Sequence, residues 1–436
     1  MGVVGCILGF LVVIYLCYKD WSVYIASIVG AAVVIAFNVL PFMDTLLGSY
    51  VNGMFVPIKS FFFLLLFGSI QSKIYSESGA AFSIADTIMS KLLRPGASNT
   101  KKNVIAVAVI VAIGVILCMG GINASVFIVL MYPVALTIFE YCDIPKRFIL
   151  GVLAAASYTF TLTMPGSPQV TNVAAMTALG TAADVALVPG LVGAAVEVVV
   201  IVLMNIYINK ARAKGEHFEL HPLDPHYDKN TPRPNFWIAL IPLVALFVAF
   251  NILKININIC VIGSTVLSIL LFWKQLKAKN LRELISTGAA DSIHMSLTVA
   301  AICGFAGVVT NTEAFTTMLN AITGINMSPM LICAVVVAVM CMLTGGSSTG
   351  QLISLPLIAP KLLDLGLNVN AIHRIACFAA TTLDSMPYSG AILMLLPMCR
   401  MKLREIYPPM FITTVIATTC GTAAVIVMCA LFPGLC

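Results

Sequence analysis

The chain alternates between long apolar runs and short polar breaks from one end to the other. The clear apolar stretches are Val3–Leu16, Val23–Leu40, Phe55–Ile70, Val104–Met119, Val126–Phe139, Phe148–Thr163, Leu187–Tyr207, Phe236–Ile252, Ile257–Phe272, Ile293–Val309, Met330–Leu343, Leu352–Leu365, Ile372–Leu383 and Phe411–Leu431. The runs are continuous rather than alternating, which favours helices over a β-barrel. Many approach the roughly 20 residues needed to cross a bilayer. Met330–Leu343 and Leu352–Leu365 are too short for that and predict re-entrant or broken helices. Two runs are interrupted by residues that do not suit a helix centre, in "TLTMPGSP" (Thr161–Pro168) and "TLDSMPYSG" (Thr382–Gly390). The only long hydrophilic break, Asn209–Asn235, divides the chain almost in half.

The polar punctuation repeats. "CMGGINAS", "IPKRF" and "TLTMPGSP" in the first half are echoed in order by "MLTGGSSTG", "AIHRI" and "TLDSMPYSG" in the second. Gly120 and Gly345 are 225 positions apart, and Met164 and Met386 are 222. A fainter echo pairs "GAAFSIADTIM" with "TEAFTTMLNAI". Interrupted apolar segments at matching positions of two halves are the best sequence pointer to a transporter's binding site. The pattern predicts an all-α polytopic membrane protein of two inverted-topology repeats, each with five crossings (one a broken helix) plus a re-entrant hairpin. The first repeat is 1–208, with a hairpin at about 104–141 and a broken helix at about 148–180. A cytoplasmic connector follows at 209–235. The second repeat is 236–436, with a hairpin at about 330–365 and a broken helix at about 372–398.

Charge fixes the expected orientation. With the N-terminus outside, 20 of the 24 Lys and Arg face the cytoplasm, and only Lys59, Lys254, Lys361 and Arg374 fall on the other side. The positive-inside rule favours this threading over its mirror image and puts both termini outside. The first hairpin then enters from inside and the second from outside. No basic residue precedes Val3–Leu16, so this run reads as a retained helix rather than a cleaved signal.

Composition sharpens the class. The chain has 436 residues, 60% of them hydrophobic and 10% charged. A soluble domain carries about a quarter charged residues. The net charge of +6 resides in short loops, so it reads as an orientation signal and not as a nucleic-acid surface. The thirteen cysteines include no CxxC and read as small hydrophobes. The five histidines form no HExxH, so no metal or cofactor is expected.

The breaks carry the candidate chemistry. Backbone that leaves the helix at membrane depth is tolerated only where it is buried in protein or lines a cavity. Helix restarts there present free N–H groups that favour anions. The candidate substrate-binding residues are Gly120, Gly121, Asn123 and Ser125 at the first hairpin tip, and Pro165, Ser167, Gln169, Thr171 and Asn172 at the first break. Gly345, Gly346, Ser347, Ser348, Thr349 and Gln351 follow at the second tip, and Ser385, Pro387 and Ser389 at the second break. No Lys or Arg is expected at mid-membrane depth, so an organic anion would be held by helix ends and hydroxyls. Intramembrane acids default to functional candidates. Asp384, inside the second break, is the first choice for coupling to H+ or another cation, and Glu197 is the second. Asp184, Asp291 and His294 lie near expected helix ends and read as structural. No Ser/His or paired-Asp arrangement suggests an enzyme.

At these residues the chain resembles the gluconate permease (GntP) family of H+-coupled carboxylate symporters, within the ion-transporter superfamily. "TLTMPGSPQVTN" is similar to the PGTPQ-x-x-N element of members related to hydroxybutyrate permeases. "HRIACFAATTLDSMPYSGAILMLL" is similar to the family's HRIA…LDxLPHNGAV segment, and "FGSIQSKIYSESGAAFSIAD" to its FG…SGAA…IA pattern. The resemblance implies a homodimeric inverted-repeat carrier of a small organic acid in a bacterial inner membrane. It implies H+ as the coupling ion, with Na+ symport or Na+/H+ antiport as the alternative. The chain lacks the His and second proline pair that gluconate-type members carry near the first break. It also has Tyr388-Ser389 where His-Asn is usual. Those departures point from gluconate toward a smaller hydroxy acid or other monocarboxylate.

Overall fold

The computed structural model describes the chain except residues 94–95, 120–123, 223, 225–231, 254, 278 and 324–326, and the side chains of 60, 61, 251, 319, 320, 322 and 323. It is an all-α polytopic membrane protein, with no strand among the described residues. The helices used below are α1 (Gly2–Tyr18), α2 (Val23–Phe37), α3 (Val51–Glu77), α4 (Ala80–Leu92), α5 (Asn99–Met119) and α6 (Ala124–Cys142). There follow α7 (Ile149–Ala154), which runs through a π-turn into α8 (Phe160–Thr163), then α9 (Val170–Leu179) and α10 (Leu187–Ala213). The second half holds α11 (Phe236–Asn251), α12 (Ile257–Leu271), α13 (Leu281–Thr310), α14 (Glu313–Thr323), α15 (Pro329–Thr344), α16 (Ser347–Asp364) and α17 (Val369–Ala380). After the second break come two short turns, α18 (Gly390–Leu393) and α19 (Leu396–Cys399). The last long helix is α20 (Leu403–Leu431).

Among the described residues five helices are long and apolar enough to cross a membrane, or six with the bent segment around α3. α5 and α6 are two of them, at 21 and 19 residues. The expectation of arms too short to cross therefore rests on the second hairpin alone, whose α15 and α16 have 16 and 18 residues. α10 shows what a lipid-facing helix looks like. Its outer face exposes Val198, Val199, Val202, Leu203 and Ile206, and its buried face carries Gly193, Glu197 and Met204. The apolar side is out and the small or polar side is in, which suits a helix bathed in lipid.

The frame is the packing of α3 along α13. A β-carbon on Gly53 would lie 2.5 Å from the Cys303 carbonyl oxygen, and one on Gly307 would lie 2.6 Å from the Ser49 carbonyl oxygen. One on Gly288 would lie 2.9 Å from Ile70 Cα. Only glycine permits backbones this close, and close approach maximises dispersion contact where lipid gives no hydrophobic drive. The same device closes the second hairpin, where a β-carbon on Gly350 would meet the Cys341 backbone at 2.5 Å.

Two π-turns, at Ala155–Thr159 and Phe411–Ile416, face one another. Thr159 Oγ1 donates to the Thr413 carbonyl at 2.6 Å, and Thr413 Oγ1 donates to the Gly151 carbonyl at 2.9 Å. A π-turn displaces the regular ladder, and these hydroxyls supply donors to its carbonyls across the interface.

The ion pairs lie among segments that the charge pattern assigned to one face. Lys146 pairs with buried Asp224, Arg147 with Glu216, Arg212 with Asp143, Lys279 with Glu77 and Lys402 with Asp20. The Arg147 guanidinium also lies 4.6 Å from the Phe148 ring centroid and 5.0 Å from that of Tyr207. The described part of the 209–235 connector is thus tied down against the turn before α7. Burial pushes the Asp143 carboxyl up, but the Phe218 N–H, His217 and Arg212 outweigh it and hold it below its ordinary value of 3.8. Its contribution is therefore complete above 3.8 and fades as pH falls through the lower folded value.

Two tests follow from this packing. Gly307→Val should destabilise the protein by ~1–3 kcal/mol through overpacking, read as a lowered thermal midpoint. Gly48→Ala, with nothing within 4 Å of the new carbon, should leave the midpoint unchanged. Asp143→Asn should make the connector several-fold more sensitive to limited proteolysis at neutral pH; an unchanged cleavage rate would mean the connector is held without this carboxylate.

Candidate functional site

Five helices are capped at their start by a side chain of their own sequence. Asn235, Asn256, Asn280, Ser328 and Asn368 each accept a first-turn N–H. α9 and α16, which begin at breaks inside the protein, have no side-chain cap. Their first-turn N–H groups have no carbonyl of the same helix to bond. They are the donors that the fold leaves available.

These starts border one cavity of about 190 Å³. Ala124–Val126 of α6, Val170 of α9, Ser347–Thr349 of α16 and Gly390–Ala391 of α18 all line it. α3 and α13 supply its wall, with Leu64 and Leu65 on one and Ser296, Val299 and Cys303 on the other. The frame that the glycine seam holds together is therefore also one side of the site. Asp384 is the sole charged residue among the described residues that line the cavity. Ser385 Oγ donates to its carboxylate at 2.8 Å. Ser125 and Tyr158, which also line it, share a hydroxyl–hydroxyl bond of 2.9 Å. The Ser389 hydroxyl is buried and has no hydrogen-bond partner among the described residues.

Of the sequence candidates, the structure brings Ser125, Gly345, Gly346, Ser347, Ser348, Thr349, Ser385, Ser389 and Asp384 together around this cavity. Gly120, Gly121 and Asn123 lie outside the described residues. Pro165, Ser167, Gln169, Thr171, Asn172, Gln351, Pro387 and Glu197 do not line it. Gly345 ends α15 with a left-handed φ of 66°, a conformation that suits glycine.

The polar side chains of the first break do something else. α8 ends in mid-protein, and its last carbonyls have no helical partner. Ser167 Oγ donates to the Thr161 carbonyl and Thr171 Oγ1 to the Leu162 carbonyl. Arg374 Nη1 donates to the Thr163 carbonyl at 3.1 Å, and Asn172 Nδ2 to the Met164 carbonyl at 3.2 Å. Four successive carbonyls are thus closed by four side chains. Gln169 Nε2 donates in turn to the Cys118 carbonyl at the end of α5, at 2.7 Å. In this conformation the first break is a helix C-cap turned in on itself, and the second break faces the cavity.

Arg374 is a base inside the protein that the sequence reading gave no role. It is fully buried. Besides the Thr163 carbonyl it reaches those of Ala183 and Val185, both at 2.8 Å, and Asn172 Oδ1 at 3.2 Å. His373 Nε2 lies 3.2 Å from the same Asn172 oxygen. Glu197, also fully buried, accepts from Thr163 Oγ1 at 2.9 Å, and its other oxygen has no partner among the described residues. Tyr388 sends its hydroxyl to the Met342 carbonyl at 2.9 Å, near the end of α15. Sequence reading missed Tyr158, Ser296 and Thr344 as lining residues and Arg374 as a buried clamp. The clamp was signalled only by an arginine placed inside an apolar helix.

The chain is 26% identical over 440 residues to an uncharacterized transporter, YxjC, of Bacillus subtilis strain 168, covering 89% of each protein. No family model matches it. It also aligns with the crystal structure of the Alcanivorax borkumensis YdaH transporter, at 13% identity over 90% of this chain and 89% of that one. The TM-score of that alignment is 0.44, too low to carry an argument. The similarity supports a transporter and not an enzyme.

Removing the Arg374 head group orphans buried acceptors, each costing ~1–3 kcal/mol. Arg374→Gln should therefore lower the thermal midpoint sharply. A variant with the parent's midpoint would show that these carbonyls are satisfied in some other way.

Proposed function

We propose that the protein is a secondary active transporter that moves a small carboxylate together with H+ by alternating access of two inverted repeats. The observation that carries this reading is the cavity's single acid among uncapped helix starts. A carboxylate substrate suits the uncapped first turn of α16 and the hydroxyls of Ser347, Ser348 and Thr349. The same substrate is repelled by ionised Asp384, since two like charges about 4 Å apart at an effective dielectric near 20 repel by about 4 kcal/mol. A proton on Asp384 removes that repulsion and adds a donor. Proton and anion thus favour each other's binding, which is the requirement for symport.

The other wall narrows the substrate class. Val56, Pro57, Leu64, Leu65, Leu162, Val170 and Val299 offer no hydrogen bonds from their side chains. A sugar acid such as gluconate would bury its hydroxyls there unpaired, at a cost. A short hydroxy acid or monocarboxylate puts its carboxylate on the polar arc and its tail on the apolar wall. The wider assembly that fits is a homodimer in a bacterial inner membrane, with both termini outside and the basic face in the cytoplasm.

A Na+ ion between Asp384 and the substrate would relieve the same repulsion, so Na+-coupled symport is the second reading. In proteoliposomes, an imposed pH gradient should drive uptake of labelled hydroxybutyrate or lactate in preference to gluconate. Asp384→Asn should lose gradient-driven accumulation and keep carboxylate exchange. Uptake driven by a Na+ gradient at constant pH would replace H+ with Na+. No uptake of any carboxylate under either gradient would overturn the reading.

A further inference from the structure

A second polar cavity lies directly along the helices that wall the first. It is small, about 40 Å³, and is lined among others by Ser69, Lys73, Tyr132, Asp291, Met398 and Arg400. On α3 and α6 the register with the central cavity is one helical turn. Leu65 above is followed by Ser69 below on α3, Val126 by Val129 on α6, and Met394 by Met398 beyond the second break. On α13, which runs the other way, Val299 above stands over Met295 below. A spacing of three or four residues is one turn, about 5 Å. A third recess, between Ser76, Phe82, Pro133, Thr137 and Glu140, continues the line down α3 and α6 and shares Ser76 with the second.

The second cavity is built around donors without acceptors. The Tyr132 hydroxyl, in a residue only 3% exposed, is buried and has no hydrogen-bond partner among the described residues. The same holds for Nη1 of Arg400. Arg400 also sits in the left-handed region, at φ 51°, as the residue that ends α19. A non-glycine residue held there stores strain, and such strain gathers at functional sites. Lys73 and Asp291 pair at 3.2 Å and offset each other, which leaves Arg400 as the uncompensated charge among the described residues lining this cavity. Two buried, unpartnered donors with one net positive charge are complementary to a carboxylate. Met394 lines the upper cavity and Met295 and Met398 the lower, a layer of flexible side chains that repack readily. Ser69 Oγ donates to Met295 Sδ at 3.7 Å and pins that layer from below.

We propose that Tyr132 and Arg400 form a second anion station, at which the substrate carboxylate is held on its way between the central cavity and the basic face, with the methionine layer as the movable partition. This rests on the carboxylate-carrier reading. It also divides the electrostatic labour. The central cavity holds the anion with dipoles alone, and Arg400 waits along the same helices, where its charge draws the anion out of the centre.

The test uses the full chain in proteoliposomes with labelled hydroxybutyrate. Arg400→Gln should slow counterflow by about tenfold, and Tyr132→Phe by a few-fold, as expected for losing a charged and a neutral hydrogen bond. Equilibrium binding of hydroxybutyrate, read by thermal shift, should stay near the parent value in both, because the central cavity is intact. Arg400→Lys keeps the charge and should recover part of the rate; with Tyr132→Phe it carries the test if Arg400→Gln does not fold. Parent-like counterflow in Tyr132→Phe and in the Arg400 variants would remove the second station and leave the carrier reading standing. Loss of binding in step with rate would make these residues structural, which also removes it. Absence of carboxylate uptake by the unaltered protein would remove both.

Discussion

The structure is governed by what happens to backbone carbonyls and N–H groups where a helix ends away from water. Each terminus leaves up to four such groups unpaired, and a bilayer offers them no solvent. The first break resolves this completely on the carbonyl side, through Ser167, Thr171, Asn172 and Arg374. The second is closed differently. Tyr407 donates to the Ser385 carbonyl at 3.2 Å and Thr418 to the Thr381 carbonyl at 3.2 Å, while the Ser389 hydroxyl has no partner among the described residues. Two segments that read alike in the sequence therefore hold different states of satisfaction. The satisfied one is a joint, and the unsatisfied one is a surface that a ligand can complete.

The glycine seam between α3 and α13 makes that difference usable. Because Gly53, Gly288 and Gly307 let the two backbones touch, these helices pack closely at points along their length. Both cavities take one wall from this pair: Leu64, Leu65, Ser296 and Val299 above, Ser69, Lys73, Asp291 and Met295 below. The opposing side comes from shorter pieces, the hairpin tip at Gly345–Gly346 and the turns α18 and α19. A firm wall faces lightly built elements with frequent helix ends. Short elements bury little apolar surface of their own, so they can shift while the seam stays packed.

Much of this was legible from hydropathy and punctuation, and the limits have a physical cause. The apolar runs mark where α10, α13 and α20 lie because lipid and core both demand apolar side chains. The residues of "TLDSMPYSG" and "MLTGGSSTG" meet at the cavity, and a glycine pair or a Met-Pro step is a local necessity visible in local sequence. Arg374 was not legible in its role. Hydropathy marks Arg374 only as a base within the apolar helix α17. It cannot report that carbonyls from Thr163, Ala183 and Val185, in the other half of the chain, converge on that spot. Asn172 failed for the same reason: an amide beside a break serves a ligand or a cap equally well, and only its partner Arg374, 202 positions away, decides which. Tyr158 gave no signal because its partner, Ser125, is 33 positions away on another element.

The placement of charge then acquires a sense. Arg374 commits its donors to carbonyls and Asn172, so it adds rigidity without offering an anion a free hand. Lys146, Arg147 and Arg212 are matched by acids at the face. The central cavity is left with one acid and no base among its described lining residues. A site with a permanent cation would bind an anion whether or not a proton had arrived, and would leak substrate without coupling. A site that presents a carboxylate to a carboxylate accepts the substrate well only once that acid is neutralised. On this reading it is the absence of arginine from the centre, as much as the presence of Asp384, that ties movement of the anion to movement of the cation.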